Sequence, residues 1–186
     1  MHKGNMSEQV GYVHSYEQEA MFSALLLFYT PGQSVLDAGC GIGALRKYIL
    51  NEAKTQFKYT GCDIDRDQVL IAKAKWPDIN VIESSILDMP EYETYDWVMA
   101  SGLFNYDKGD NDSNTEFIIQ SIEHMLLLAK DGIAFNVMTA FPIGFPTDGL
   151  IEISDISIFQ YLKDRHYKVI MRSDYLYGDT TFIILK

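Results

Sequence analysis

The stretch Val35-Leu36-Asp37-Ala38-Gly39-Cys40-Gly41-Ile42-Gly43 decides the fold. Its apolar start reads as a buried strand, Asp37 stands near the strand's end, and three alternating glycines then turn the chain into a helix. A turn this tight needs backbone angles that side chains obstruct, and a ligand must approach its main chain closely. About twenty residues on, Phe57 to Cys62 reads as a second buried strand, ending at Asp63, an acid placed where the hydroxyls of a ribose would lie.

A bare glycine loop leaves two readings open. As G-x-G-x-x-G/A, the residues Gly39, Gly41 and Ala44 fit a dinucleotide fingerprint, with helix amides aimed at a pyrophosphate. Asp37 opposes that reading, because an acid two residues before the first glycine suits a sulfonium or an ammonium rather than a phosphate. Length opposes it too. A nicotinamide enzyme usually carries a further substrate domain, and most of this 186-residue chain beyond Gly43 is needed to finish one sheet.

The pattern Asp37-x-Gly39-x-Gly41-x-Gly43, followed by Tyr59-Thr60-Gly61-Cys62-Asp63-Ile64-Asp65, resembles the class I methyltransferases that use S-adenosylmethionine. The resemblance runs from about Ser34 to the C-terminus. It implies that the glycine loop, Cys40 included, packs against the methionine moiety and ribose, that Asp63 binds both ribose hydroxyls, and that Ile64 lies against the adenine. After the third strand the family often has an Asp that accepts the adenine amino group. Here Val81-Ile82-Glu83-Ser84-Ser85-Ile86-Leu87 puts Ser85 at that place with Ile86 beside it, and Asp88 is the alternative.

After the fourth strand, Ala100-Ser101-Gly102-Leu103-Phe104-Asn105-Tyr106 stands where the family touches cofactor and orients the acceptor. That makes Ser101 a cofactor contact and Asn105 and Tyr106 the first catalytic candidates. The stretch has neither the paired prolines of DNA amino-methyltransferases nor the nucleophilic cysteine of cytosine carbon-5 enzymes. Near the start, Gly11-Tyr12-Val13-His14-Ser15-Tyr16-Glu17-Gln18 reads as a lid, with His14 the candidate general base and a lid-packing histidine its plainer reading. Gly11, Tyr12, Gln18, Phe22, the Ser101-Gly102-x-Phe104-Asn105 turn and Ala134-Phe135-Asn136 resemble a branch of bacterial methyltransferases. Met21 departs from it, standing where that branch has an Arg.

The composition fits one globular domain, 47% hydrophobic, with 15 Lys plus Arg against 26 Asp plus Glu and a net charge of −11. That charge repels a phosphate backbone, so nucleic acid is a poor substrate for it. The apolar run Met21 to Tyr29 is too short to span a bilayer and reads as a buried helix. The two cysteines, Cys40 and Cys62, read as small reduced residues under a ligand, in keeping with a cytoplasmic enzyme.

The remaining pattern alternates strands and helices. Strands are expected at Ser34–Ala38, Lys58–Asp63, Asn80–Glu83, Tyr95–Ala100 and Gly132–Met138, and helices at Ser15–Tyr29, Gly43–Ala53, Arg66–Lys75, Asn114–Lys130 and Ser154–Asp164. Tyr167–Arg172 and Thr180–Leu185 close the chain as an antiparallel hairpin. This is an α/β fold: by resemblance, a seven-stranded Rossmann-like methyltransferase sheet of order 3-2-1-4-5-7-6 with helices on both faces. Residues 1–32 read as an N-terminal lid segment and helix, and 33–186 as the domain that binds S-adenosylmethionine.

Asp107, Asp110 and Asp112 read as a solvated turn capping the next helix rather than a metal site, and no metal is expected. The apolar loop Thr139 to Gly149 reads equally as a cover for an acceptor pocket or as a packed connection. The leading expectation is methyl transfer from S-adenosylmethionine to an oxygen or nitrogen of a small molecule or biosynthetic intermediate. The alternatives are a binding protein that keeps the pocket without transfer, and an NAD-dependent oxidoreductase.

Overall fold

The computed structural model describes residues 15–54 and 56–186. Helix α1, Ser15–Leu25, leads into strand β1, Val35–Ala38, and then α2, Ala44–Ala53; β2, Tyr59–Asp63; α3, Arg66–Lys75; and β3, Asn80–Glu83. After β4, Tyr95–Ala100, come α4, Asn111–Leu128; β5, Ala129–Met138; α5, Asp155–Asp164; β6, Lys168–Arg172; and β7, Asp179–Leu185. The expectations for His14, Gly11 and Tyr12 fall outside the described residues.

The helix starts follow local chemistry. The Asp65 side chain accepts from the backbone N–H groups of Asp67 and Gln68 at the head of α3, and Ser154 accepts from Ser157 N–H at the head of α5. Helix α4 begins at Asn111, earlier than the expected Asn114, because Asp110 caps it by accepting from Ser113 N–H. Helix α1 ends at Leu25, short of the expected Tyr29. There Tyr29 N–H bonds Leu26 O in a tightened turn, and Pro31 follows, unable to extend a helix.

The strands form one sheet in the order β3-β2-β1-β4-β5-β7-β6, as expected. All pairs are parallel except those of β7, which runs antiparallel to both β5 and β6. Alternation along each strand sends Leu36, Val98, Phe135 and Phe182 against α4 and α5, and Val35, Met99, Ala134 and Ile183 against α1 and α2. The carboxyl ends of β1, β2, β4 and β5 therefore share one edge, and the start of β7 joins them there because Asp179 pairs with Met138. Among the described residues no helix is long and apolar enough to cross a membrane.

Candidate active site

The glycine loop leaves β1 at this edge with φ of +70° at Gly39 and +81° at Gly43, left-handed angles that favour glycine. Space is as tight as the angles. A Cβ on Gly39 would stand 3.0 Å from Leu103 Cδ1, and one on Gly43 3.0 Å from Trp76 Nε1. The Trp76 indole N–H donates to Ile42 O at 3.0 Å, and the Arg46 guanidinium lies over the same ring, 5.3 Å from its centroid. Sequence reasoning missed Trp76, since no local signal ties a tryptophan after α3 to a loop before α2.

The loop's amides are used within the protein. Gly39 and Cys40 N–H both donate to Cys62 O at 2.8 and 3.0 Å, Gly43 N–H donates to Cys40 O at 2.9 Å, and Gly41 N–H donates to Asp63 Oδ2 at 2.8 Å. Those four amides are turned away from any pyrophosphate, which disfavours the dinucleotide reading. What the edge presents instead is acid. Asp63 also accepts from Asp65 N–H at 2.9 Å through Oδ1, so each carboxylate oxygen keeps a lone pair for a pair of hydroxyls.

Asp37 is buried, and Tyr59 Oη donates to its Oδ2 at 2.7 Å. Burial pushes its carboxyl up to about 7, against the lowering effect of the Tyr59 bond, and the nearby charge of Asp63 adds to the rise. Tyr59 reaches Asp37 because it passes over Gly61, its neighbour on the same strand face. A Cβ at Gly61 would stand 3.3 Å from Tyr59 Cε1 and only 2.7 Å from Cys40 Sγ. Cys40 and Cys62 are free and buried, and burial first pushes both thiols up, Cys62 to about 12. Neither is a nucleophile in this setting.

The other expected contacts divide. Ile64 is 69% exposed beside Asp63, open to a flat ligand. The Ser85 hydroxyl accepts from Leu87 N–H at 3.2 Å, capping a short 3-10 turn, and that turn sends the Ile86 side chain into the core instead of the crevice. Among the described residues the buried Ser101 Oγ has no hydrogen-bond partner. Asn105 is buried; its Oδ1 accepts from Met138 N–H at 2.9 Å and its carbonyl from Ile151 N–H at 2.9 Å. Through these bonds Asn105 braces β5 and the segment at Ile151. Tyr106 is 56% exposed and bridges to Leu150, where the loops after β4 and β5 meet. His124 bonds Met89 O at 2.9 Å, in keeping with a structural role.

The donor set fits S-adenosylmethionine: an acid for ribose hydroxyls, a second acid for a cationic end, an unsatisfied serine, and a glycine turn with no room for a Cβ. A separate cavity of about 310 Å³ between α4 and α5, lined by Ile118, Ile122, Ile158 and Tyr161 among others, includes none of these residues.

Fold and site together define a class I methyltransferase, whose cofactor is S-adenosylmethionine. Residues 35–127, half of the chain, match the family model described as a methyltransferase domain, and the chain belongs to that family. It is 28% identical over 159 residues to Rv1506c of Mycobacterium tuberculosis, named as a methyltransferase, covering 82% of this chain and 93% of that one. It is 27% identical over 146 residues to (S)-coclaurine N-methyltransferase of Papaver somniferum, covering 72% of this chain but only 40% of the plant enzyme.

Among solved structures, N-methyltransferase NodS of Bradyrhizobium japonicum, in complex with S-adenosylhomocysteine, superposes with a TM-score of 0.68 at 13% identity, covering 98% and 93% of the two chains. The 1,6-didemethyltoxoflavin-N1-methyltransferase of Burkholderia thailandensis gives 0.69 at 14% identity, covering 97% and 82%. At these identities the likeness is one of fold.

Proposed function

We propose that this protein transfers a methyl group from S-adenosylmethionine to a nitrogen or oxygen of a small molecule, with nitrogen the favoured atom. The observation that carries the reading is the pair of acids, Asp37 and Asp63, on adjacent strand ends beside a loop whose amides are turned inward. Nitrogen is favoured because the plant relative is named an N-methyltransferase. A small acceptor suits a chain of net charge −11, which would repel a polyanion.

When bound, the cofactor supplies an electrophilic methyl on a sulfonium with a good leaving group, so alignment of the acceptor dominates the work left to the protein. In this reading Asp63 holds the ribose hydroxyls, and Asp37 faces the positive end of the ligand from a buried position where charge is poorly screened. Ile64 covers the adenine, and the Ser101 hydroxyl finds its missing partner on the ligand. Tyr106 stands at the mouth where an acceptor would enter, while Asn105 holds the floor of that mouth through Met138. Two free, buried cysteines support a reducing, cytoplasmic setting for it.

Thermal-shift and calorimetric titration with S-adenosylmethionine, S-adenosylhomocysteine and NAD tests the cofactor, and a methyl-transfer assay over amine and hydroxyl acceptors tests the reaction. A ligand at a hundred times its Kd should add about 2.7 kcal/mol, or roughly 5 to 11 °C. A response to NAD alone would overturn the reading. Binding of the adenosyl compounds without turnover on any acceptor would make the chain a binding protein.

A further inference from the structure

The carboxyl edge holds a second buried acid, Asp179, at the start of β7. It is 3% exposed, and among the described residues no Lys or Arg forms an ion pair with it. Its partners are neutral. The Tyr175 hydroxyl donates to Oδ1, and Asn136 Nδ2 donates to Oδ1 and Oδ2 at 3.3 and 3.4 Å. The Tyr175 hydroxyl also lies 2.7 Å from Thr181 Oγ1. Burial pushes the Asp179 carboxyl up to about 6, with Tyr175 and Asn136 opposing, and the donors facing both of its oxygens make it an acceptor in these bonds.

The direction of these bonds is set from both ends. Gly102 N–H donates to Asn136 Oδ1 at 2.9 Å, which forces the amide nitrogen of Asn136 toward Asp179. Asn136 is fully buried, so neither of its amide atoms has water as an alternative. Gly102 in turn opens the segment that carries Leu103 against the glycine loop at Gly39, and it follows Ser101, whose hydroxyl has no partner among the described residues. The chain of contacts thus runs from the closing hairpin to the cofactor loop.

The hairpin loop is itself pinned at this edge. Thr139 and Ala140 N–H donate to Gly178 O at 2.7 and 3.3 Å, and a Cβ on Gly178 would lie 2.0 Å from Ala140 O.

We infer that the Asn136–Asp179 pair is a direction-setting clamp that positions the Ser101–Gly102 turn against the glycine loop, making Asp179 a positioning residue for cofactor binding. The inference rests on the methyltransferase reading above. A neutral amide at position 179 would fill the same space, yet it would turn either its own donor toward the Asn136 donor or its oxygen away from Tyr175. A carboxylate avoids that conflict at the cost of a buried charge.

The deciding experiment reverses the direction and then restores it. S-adenosylhomocysteine is titrated calorimetrically into the wild type, Asp179→Asn, and the swap Asn136→Asp with Asp179→Asn, each well below its melting temperature. The Gly102 amide resonance is followed by NMR in the same samples. The single variant should bind about five- to tenfold more weakly, with the Gly102 resonance displaced. In the swap, the carboxylate moved to position 136 can accept both from Gly102 N–H and from the amide placed at position 179. Affinity should then return to within about twofold of wild type, and the resonance should move back.

Recovery in the swap supports the clamp even if the single variant is too unstable to titrate. A single variant that binds like wild type, or a swap that recovers neither affinity nor resonance, overturns it. A wild type that binds no S-adenosylhomocysteine would instead overturn the methyltransferase reading and the clamp with it.

Discussion

Replacing Asp37 with Asn should stabilise the ligand-free protein and weaken its cofactor binding together. Asn keeps the shape, and its oxygen can still accept from Tyr59 Oη, so the titrating charge is removed while that bond is kept. The native carboxyl is raised from 3.8 to about 7, so between those values the folded state holds a proton that the unfolded chain has released. Stability is therefore lost as pH rises through this window. The full loss corresponds to about 4 kcal/mol, an upper figure because a buried site relaxes and admits water.

Urea unfolding of both proteins at a series of pH values between 4 and 8 should show Asp37→Asn gaining on the wild type toward alkaline pH, by up to ~4 kcal/mol. Titrations with S-adenosylmethionine should show the variant binding more weakly at pH 8, where the wild-type acid is charged. Parallel stability curves across the whole range would refute the reasoning, because they would mean that Asp37 does not titrate there. A variant that binds the cofactor as tightly as wild type would refute the proposed role of its charge.

Asp63→Ala removes the acceptor of Gly41 and Asp65 N–H and the proposed ribose ligand, so the Kd for S-adenosylmethionine should rise by at least about tenfold in calorimetry; unchanged affinity would end that assignment. Asn105→Ala leaves Met138 N–H buried without a partner and should cost about 1–3 kcal/mol, seen as a lower melting temperature. If turnover falls while melting stays constant, Asn105 faces the acceptor after all. Trp76→Phe keeps a ring beneath Gly43 but loses the bond to Ile42 O; it should cost about 1 kcal/mol in urea unfolding and weaken S-adenosylhomocysteine binding measurably. Equal stability and affinity would show that the indole N–H does not hold the loop.

Most element boundaries were legible because they follow from local periodicity and from punctuation by Gly, Pro and capping acids, whereas the strand order was implied by the resemblance to class I methyltransferases. Gly39, Gly41, Gly43 and Asp63 were legible for a related reason: a strand-to-helix turn imposes its steric demands within a few residues, and the next strand follows at a fixed distance. The inward direction of the Ile86 side chain depends on a 3-10 turn capped by Ser85, which neighbouring letters do not announce.

Asn105 read as a site residue by its place after β4, and its commitment to Met138 emerged only when β4 and β5 lay side by side. Tyr59, Trp76, Asn136 and Asp179 belong to the same kind. Each gains its partner across strands or between helix and loop, over separations in sequence where no spacing rule operates. Sequence alone thus determined the strands, the glycine turn and the acid beside it, since backbone geometry dictates them locally. Only the tertiary structure decided which buried polar groups face one another, because hydrogen-bond direction and burial are properties of assembled neighbours.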